Sequence, residues 1–154
     1  MRKVTRINNG IILCLPLIAF FYNSKAQDEK ESSSNLIIVK VTVTGFKDNN
    51  GQAILNVFNS SAGFPSDFSK VYKSLKGKII ENRITFNVNL PPGTYAFGCV
   101  HDENSNNQME KNIFGLPKEG AGLSNYATGG YPSYNKAKVN ISTNTSLQIK
   151  IKYL

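Results

Sequence analysis

Arg83-Ile84-Thr85-Phe86-Asn87-Val88-Asn89-Leu90 alternates polar and apolar side chains without a break. A period of two puts Ile84, Phe86, Val88 and Leu90 on one face, which is the signature of a half-buried strand. Pro91-Pro92-Gly93-Thr94 then makes a tight turn, and Tyr95–His101 follows as a central strand with Tyr95, Phe97 and Cys99 on one side. Upstream, Leu36–Phe46 places Ile37, Val39, Val41 and Val43 on one face. Lys47-Asp48-Asn49-Asn50-Gly51 tolerates positive φ and predicts a hairpin to Gln52–Asn59, where Ala53, Leu55 and Val57 face one way and Ile54 and Phe58 the other. Downstream, Ala137–Ile141 and Leu147–Tyr153 read as a closing hairpin across Ser142–Ser146.

The segment at 66–76 supports two readings. Phe68, Val71, Tyr72 and Leu75 have helical spacing after a cap at Ser66, whereas Tyr72–Ile80 with Glu81-Asn82 reads as the first arm of a hairpin into Arg83–Leu90. A helical turn near Ser66–Lys70 followed by a strand fits best. The fold expected is all-β: a single antiparallel β-sandwich of six to seven strands, with one long loop at about 102–136. A core of Val39, Val41, Leu55, Val57, Ile84, Phe86, Val88, Tyr95, Phe97, Ile149 and Ile151 follows. The 35 residues of that loop far exceed the usual connection of ~4–6 residues, so it is expected to be functional or pinned.

The chain begins with a basic stretch (Arg2, Lys3, Arg6), an apolar run Ile11–Phe21 too short for an ordinary span, and Ser24-Lys25-Ala26. Residues 1–26 are expected to be a signal peptide, 27–35 a flexible linker and 36–154 the sandwich domain, periplasmic or extracellular. No transmembrane helix is expected in the mature chain. Cleavage would remove four basic residues and no acid, reducing the net charge from +8 to +4, which argues against a nucleic-acid partner. Of the two cysteines only Cys99 would remain, so no intramolecular disulfide is available.

PPGTYAFGCVHDENSNNQMEKN (91–112), GLPKEGAGLSN (115–125) and YPSYNKAKVNI (131–141) resemble the signature blocks of the domain-of-unknown-function 2141 family of exported bacterial proteins. The resemblance covers most of the mature chain. It implies a sandwich similar to transthyretin-like or carboxypeptidase-regulatory modules, placed in the cell envelope, and no assigned activity. Two departures stand out: Asn107 takes the place of a family glycine and Glu110 that of an aspartate. Asn is the best non-glycine residue for a left-handed backbone, and Glu keeps the carboxylate on a longer arm.

Asp102, Asn104, Asn106, Gln108 and Glu110 fit positions one to nine of a calcium loop, with Gln108 giving a backbone carbonyl. Position twelve is Ile113 rather than a bidentate Glu, so a further acid would come from Glu119 or solvent. The competing reading is a set of Asx turns in which the amides bond their own backbone. Calcium is thus the one cofactor the sequence suggests, in a loop placed outside the core.

His101 and Cys99 share a strand face too far apart for a direct hydrogen bond, and no motif of an enzyme family accompanies them. They read as a strand-end and a core residue, and the domain as non-enzymatic. Lys70, Lys73, Lys76 and Lys78 read as protection of an edge strand, or less simply as an anion-binding stripe. Tyr126, Tyr131 and Tyr134, with Gly129 and Gly130 between them, are candidates for stacking on a glycan or gripping a protein ligand. The function expected is an envelope binding or structural module; a hydrolase or sugar-modifying enzyme working from the long loop is the alternative.

Overall fold

The computed structural model describes residues 35–110, 112–113, 117–125 and 131–154. The leader, the linker up to residue 34 and Tyr126 lie outside the described residues. Among the described residues, eight strands account for nearly all regular structure: β1 (Ile37–Thr44), β2 (Gln52–Phe58), β3 (Lys73–Gly77), β4 (Arg83–Leu90), β5 (Gly93–Asp102), β6 (Ala121–Leu123), β7 (Val139–Ile141) and β8 (Thr145–Lys150). A 3-10 turn at Phe68–Lys70 and one short helix, α1 (Tyr134–Ala137), complete the set. No described helix is long and apolar enough to cross a membrane.

One sheet runs β4-β1-β8 and the other β3-β2-β5-β6, with β7 paired to the start of β5. Side chains of both sheets meet in one core. Val39, Val41, Val43, Leu55, Val57, Val88, Leu90 and Phe97 are completely buried there, beside Phe86, Tyr95, Cys99, Ile141, Ile149 and Ile151. Of the expected core only Ile84 is half-buried, packed against the cluster from near the start of β4.

The connections depart from expectation in four places. First, β1 and β2 do not form a hairpin: β1 pairs with β4 and β8, β2 with β3 and β5. The 45–51 segment is a corner between sheets. Gly51 is required there, because at φ +65° a Cβ would lie 2.0 Å from the Asp102 carbonyl oxygen.

Second, β7 and β8 do not pair with each other. The chain crosses from β5's sheet to the other, and β8 runs parallel to β1, with Val41 opposite Leu147 and Val43 opposite Ile149. The sandwich therefore contains one parallel pair in an otherwise antiparallel structure. Alternation in 147–151 is the same either way, so the pattern could not reveal the partner.

Third, β3 joins β2, not β4. Glu81 and Asn82, at φ 50° and 55°, still close a two-residue turn in which Ile80 and Arg83 exchange both N–H···O bonds at 3.0 Å. That is a hairpin tip whose arms part into different sheets. Fourth, the eighth strand, β6, lies inside the long loop, so the loop is partly sheet.

The outer face of β4-β1-β8 is open to solvent, as at Ile38 (49% exposed). The outer face of β2-β5 is not. Ile54, Asn56, Phe58, Ala96, Val100 and Asp102 all point away from the core and are all buried. Phe64 packs against Phe58, and Pro65, Phe68, Met109 and Pro117 stand over Val100, so described parts of the long loop belong to the cover.

Candidate functional site

Asp102 ends β5 and faces outward into the loop, fully buried. One carboxylate oxygen accepts from the Gln52 amide (2.7 Å) and the Asn107 N–H (2.9 Å), the other from the Asn106 N–H (3.1 Å). Three donors on a buried carboxylate make it the hub of the loop rather than a surface residue outside the core. Ser105 and Asn107 adopt left-handed φ of 59° and 65° to bring those N–H groups round. Asn107 thus serves where the family pattern has glycine.

Two Asx turns follow: Asn106 N–H to Asn104 Oδ1 (3.0 Å) and Gln108 N–H to Asn106 Oδ1 (2.8 Å). The Nδ2 groups of Asn104 (2.6 Å) and Asn106 both donate to Glu110 Oε1. They hold the Glu110 carboxyl below its ordinary range, with the Asn104 bond the largest cause. Of the five residues fitted to a calcium loop, Asn104, Asn106 and Glu110 are thus drawn into direct contact. Asp102 joins them through the Asn106 backbone, and Gln108 enters by its N–H.

The Lys118 N–H bonds the Glu110 carbonyl at 2.8 Å and carries Glu119 into the cluster. Glu119 Oε1 accepts the Glu103 N–H at 3.0 Å, while Lys47 pairs with Glu103 Oε2 at 2.7 Å. Glu103 Oε1 is buried with no hydrogen-bond partner, and the Glu119 carboxyl is hydrogen-bonded to that of Glu110. Burial, then the neighbouring Glu110 and Asp102 carboxylates, push the Glu119 carboxyl up to about 7.

The folded state therefore keeps a proton that the unfolded chain releases near pH 4.5. Stability from this group falls as pH rises from about 4.5 to about 7, and its full cost is present above that window. In metal-free buffer Glu119→Gln should melt above the parent at pH 8, with the gap closing by pH ~4.5. Parallel melting curves across that range would contradict the assignment.

On the opposite face of the same strand, His101 is completely buried. Its Nε2 lies 2.8 Å from the Asn50 carbonyl, so it donates; Nδ1 lies 2.7 Å from the Tyr153 hydroxyl, which itself accepts the Lys47 N–H at 3.0 Å. Both ring nitrogens are committed to holding the 45–51 corner and the C-terminal segment. Burial pushes the Cys99 thiol up, away from nucleophilic use.

Of the candidate tyrosines, Tyr131 and Tyr134 are described, and they differ in setting. Tyr134 donates to the Thr94 carbonyl (3.0 Å) and stacks edge-on against Phe64 at 5.9 Å, pinning α1 to β5, whereas Tyr131 is 87% exposed. On edge strand β3, Lys73 bonds the Asn89 carbonyl (3.0 Å) and Lys76 the Asn107 side chain (2.5 Å). Of the four-lysine stripe, Lys73 thus ties β3 to β4 and Lys76 ties it to the long loop.

A hollow of about 400 Å³ lies over the outer face of β5 and β6. Val100 and Leu123 form its floor, and Pro65, Phe68, Met109 and Pro117 stand around it, with Lys150, Lys152 and Glu119 also in the wall. Nothing in the sequence reading singled it out. The one available signal was β5 itself, apolar on both faces from Tyr95 to Val100, as a strand covered on both sides must be.

A family model described as an uncharacterized protein conserved in bacteria (DUF2141) matches residues 41–150. The chain belongs to the DUF2141 family. The match spans β1 to β8, so the family unit of this DUF2141 domain is the two-sheet body with its loop. No curated protein and no solved structure matches the chain.

Proposed function

We propose that this DUF2141 domain is an exported, non-enzymatic binding module of the cell envelope that receives an apolar or amphiphilic ligand in the hollow over β5 and β6. The hollow carries the reading. Its volume falls at the lower end of the ~300–1,000 Å³ typical of small-ligand sites, and apolar side chains dominate its wall. Lys150 in the wall suits an acidic head group. A glycan would want several convergent polar groups, so an amphiphile fits this lining better than the sugar ligand considered for the tyrosines. Export rests on the leader pattern of residues 1–26. The committed ring of His101 and the buried Cys99 thiol support a non-catalytic role.

The test is titration with 8-anilinonaphthalene-1-sulfonate, an apolar anion whose fluorescence rises on leaving water. Saturable enhancement, displaced by a medium-chain fatty acid, is the expected result. Leu123→Lys should abolish it while Ile38→Lys, on the open face of the other sheet, leaves it intact. Enhancement that never saturates, or that survives Leu123→Lys in a folded protein, would overturn the reading.

A further inference from the structure

Midway along the outer face of β2, between Ile54 and Phe58, stands a polar side chain, Asn56, that is only 3% exposed. Its Oδ1 accepts the hydroxyl of Ser74, its partner on β3, at 2.8 Å. That bond turns Oδ1 toward β3 and the amide NH₂ toward the hollow, whose wall includes Asn56. Among the described residues no oxygen accepts from this NH₂. On its other side Asn56 lies opposite Gly98 of β5, and Gly98 opposite Leu123 of β6. A Cβ at Gly98 would meet only the Leu123 side chain, at 3.2 Å, so the missing side chain leaves the floor open beside Asn56. A buried amide donor with no acceptor is unfavourable, and a tie to Ser74 uses the acceptor alone. Both N–H groups are left for a ligand.

We propose that Asn56 is the polar anchor of the hollow and that its Nδ2 donates to the carbonyl oxygen of an acyl ligand. The inference rests on the hollow being a ligand site and adds what that site selects. The ligand is a hydrocarbon chain that carries a carbonyl, as an acid, ester or amide, rather than bare hydrocarbon. Ser74 is a positioning residue: its hydroxyl keeps Oδ1 turned away, so that a donor and not an acceptor meets the ligand. A site built around one buried donor discriminates against a ligand that leaves the donor unpaired.

The test is displacement of N-phenyl-1-naphthylamine, a neutral apolar fluorophore with no carbonyl, from the full chain by decanamide and by decanoate. Asn56→Leu nearly keeps the shape and removes the donor. It should leave the fluorophore's Kd within about two-fold and raise that of decanamide about ten-fold, the loss expected for one hydrogen bond. Ser74→Ala, at an exposed position of β3, should raise it about three-fold by freeing the amide to turn. In the parent, the Asn56 side-chain NH₂ proton resonances should move downfield as decanamide binds. A matching loss for decanoate extends the anchor to free acids. A loss confined to decanoate, with decanamide unbound, supports the anchor and restricts the ligand to acids. Unchanged Kd for both acyl ligands in Asn56→Leu, or bound fluorophore that neither displaces, would overturn the proposal and leave the hollow a ligand site. No fluorophore binding at all would overturn the hollow itself and this inference with it. Should Asn56→Leu fail to fold, Ser74→Ala and the NH₂ resonances decide the outcome.

Discussion

Phe97→Ala should lower the unfolding free energy by about 3–5 kcal/mol, measured by urea denaturation, as expected for truncating a fully buried aromatic side chain. Phe97 has no exposed surface and lies mid-strand in β5, opposite Val57 of β2. Its ring fills the space between the two sheets. Its backbone meanwhile anchors the loop, with its N–H to Ser124 Oγ at 2.9 Å and its carbonyl accepting the Ser124 N–H at 2.8 Å. The Ser124 hydroxyl then donates to the Ala137 carbonyl at 2.6 Å, tying the entry to β7 into the same joint. A cavity at Phe97 therefore weakens core and loop together. A loss below about 1 kcal/mol would mean that the strand register is wrong by one, since such a slip turns the whole face outward.

Asp102→Ala is the second large effect, at about 2–4 kcal/mol. The change removes a buried carboxylate and strands three donors, the N–H groups of Asn106 and Asn107 and the Gln52 amide. Hydrogen bonds to a charged partner are each worth about 1.5–3 kcal/mol, and the total is reduced where water can reach the loop. Asp102→Asn should lie between variant and parent, keeping one acceptor while turning an amide NH₂ toward a donor. Amide hydrogen exchange at Asn106 and Asn107 should quicken far more than at Val57 or Val88. Uniform acceleration, or none, would contradict the hub role of Asp102.

Residue periodicity carried the core well. Alternation in 37–43 and 84–90 identified the inward faces, because a one-sided strand cannot hide its period. Pairing was less legible. Turn residues at 47–51 and 142–146 announce that the chain reverses, but not whether it reverses within a sheet or across to the other. That choice depends on which neighbour covers the strand, as β1 shows by taking β4 and β8 and leaving β2 to the opposite sheet. The loop was half legible. Asx turns follow from Asp102, Asn104 and Asn106 at alternate positions, and the left-handed turn follows from Asn107. Whether Glu119 would come home to Glu110, and whether Met109, Phe68 and Leu123 would ring one hollow, depends on segments distant in sequence. Only the folded sheet brings those together.

The claim that the outer face of β5 and β6 is the ligand-binding surface is tested most directly by amide chemical-shift mapping during titration with 8-anilinonaphthalene-1-sulfonate. Shifts should concentrate at Asn56, Gly98, Val100 and Ala121–Leu123, saturating with the fluorescence. Shifts gathered instead at Lys40, Thr42, Thr85 and Asn87 on the open face of the other sheet, or none at saturating probe, would contradict it.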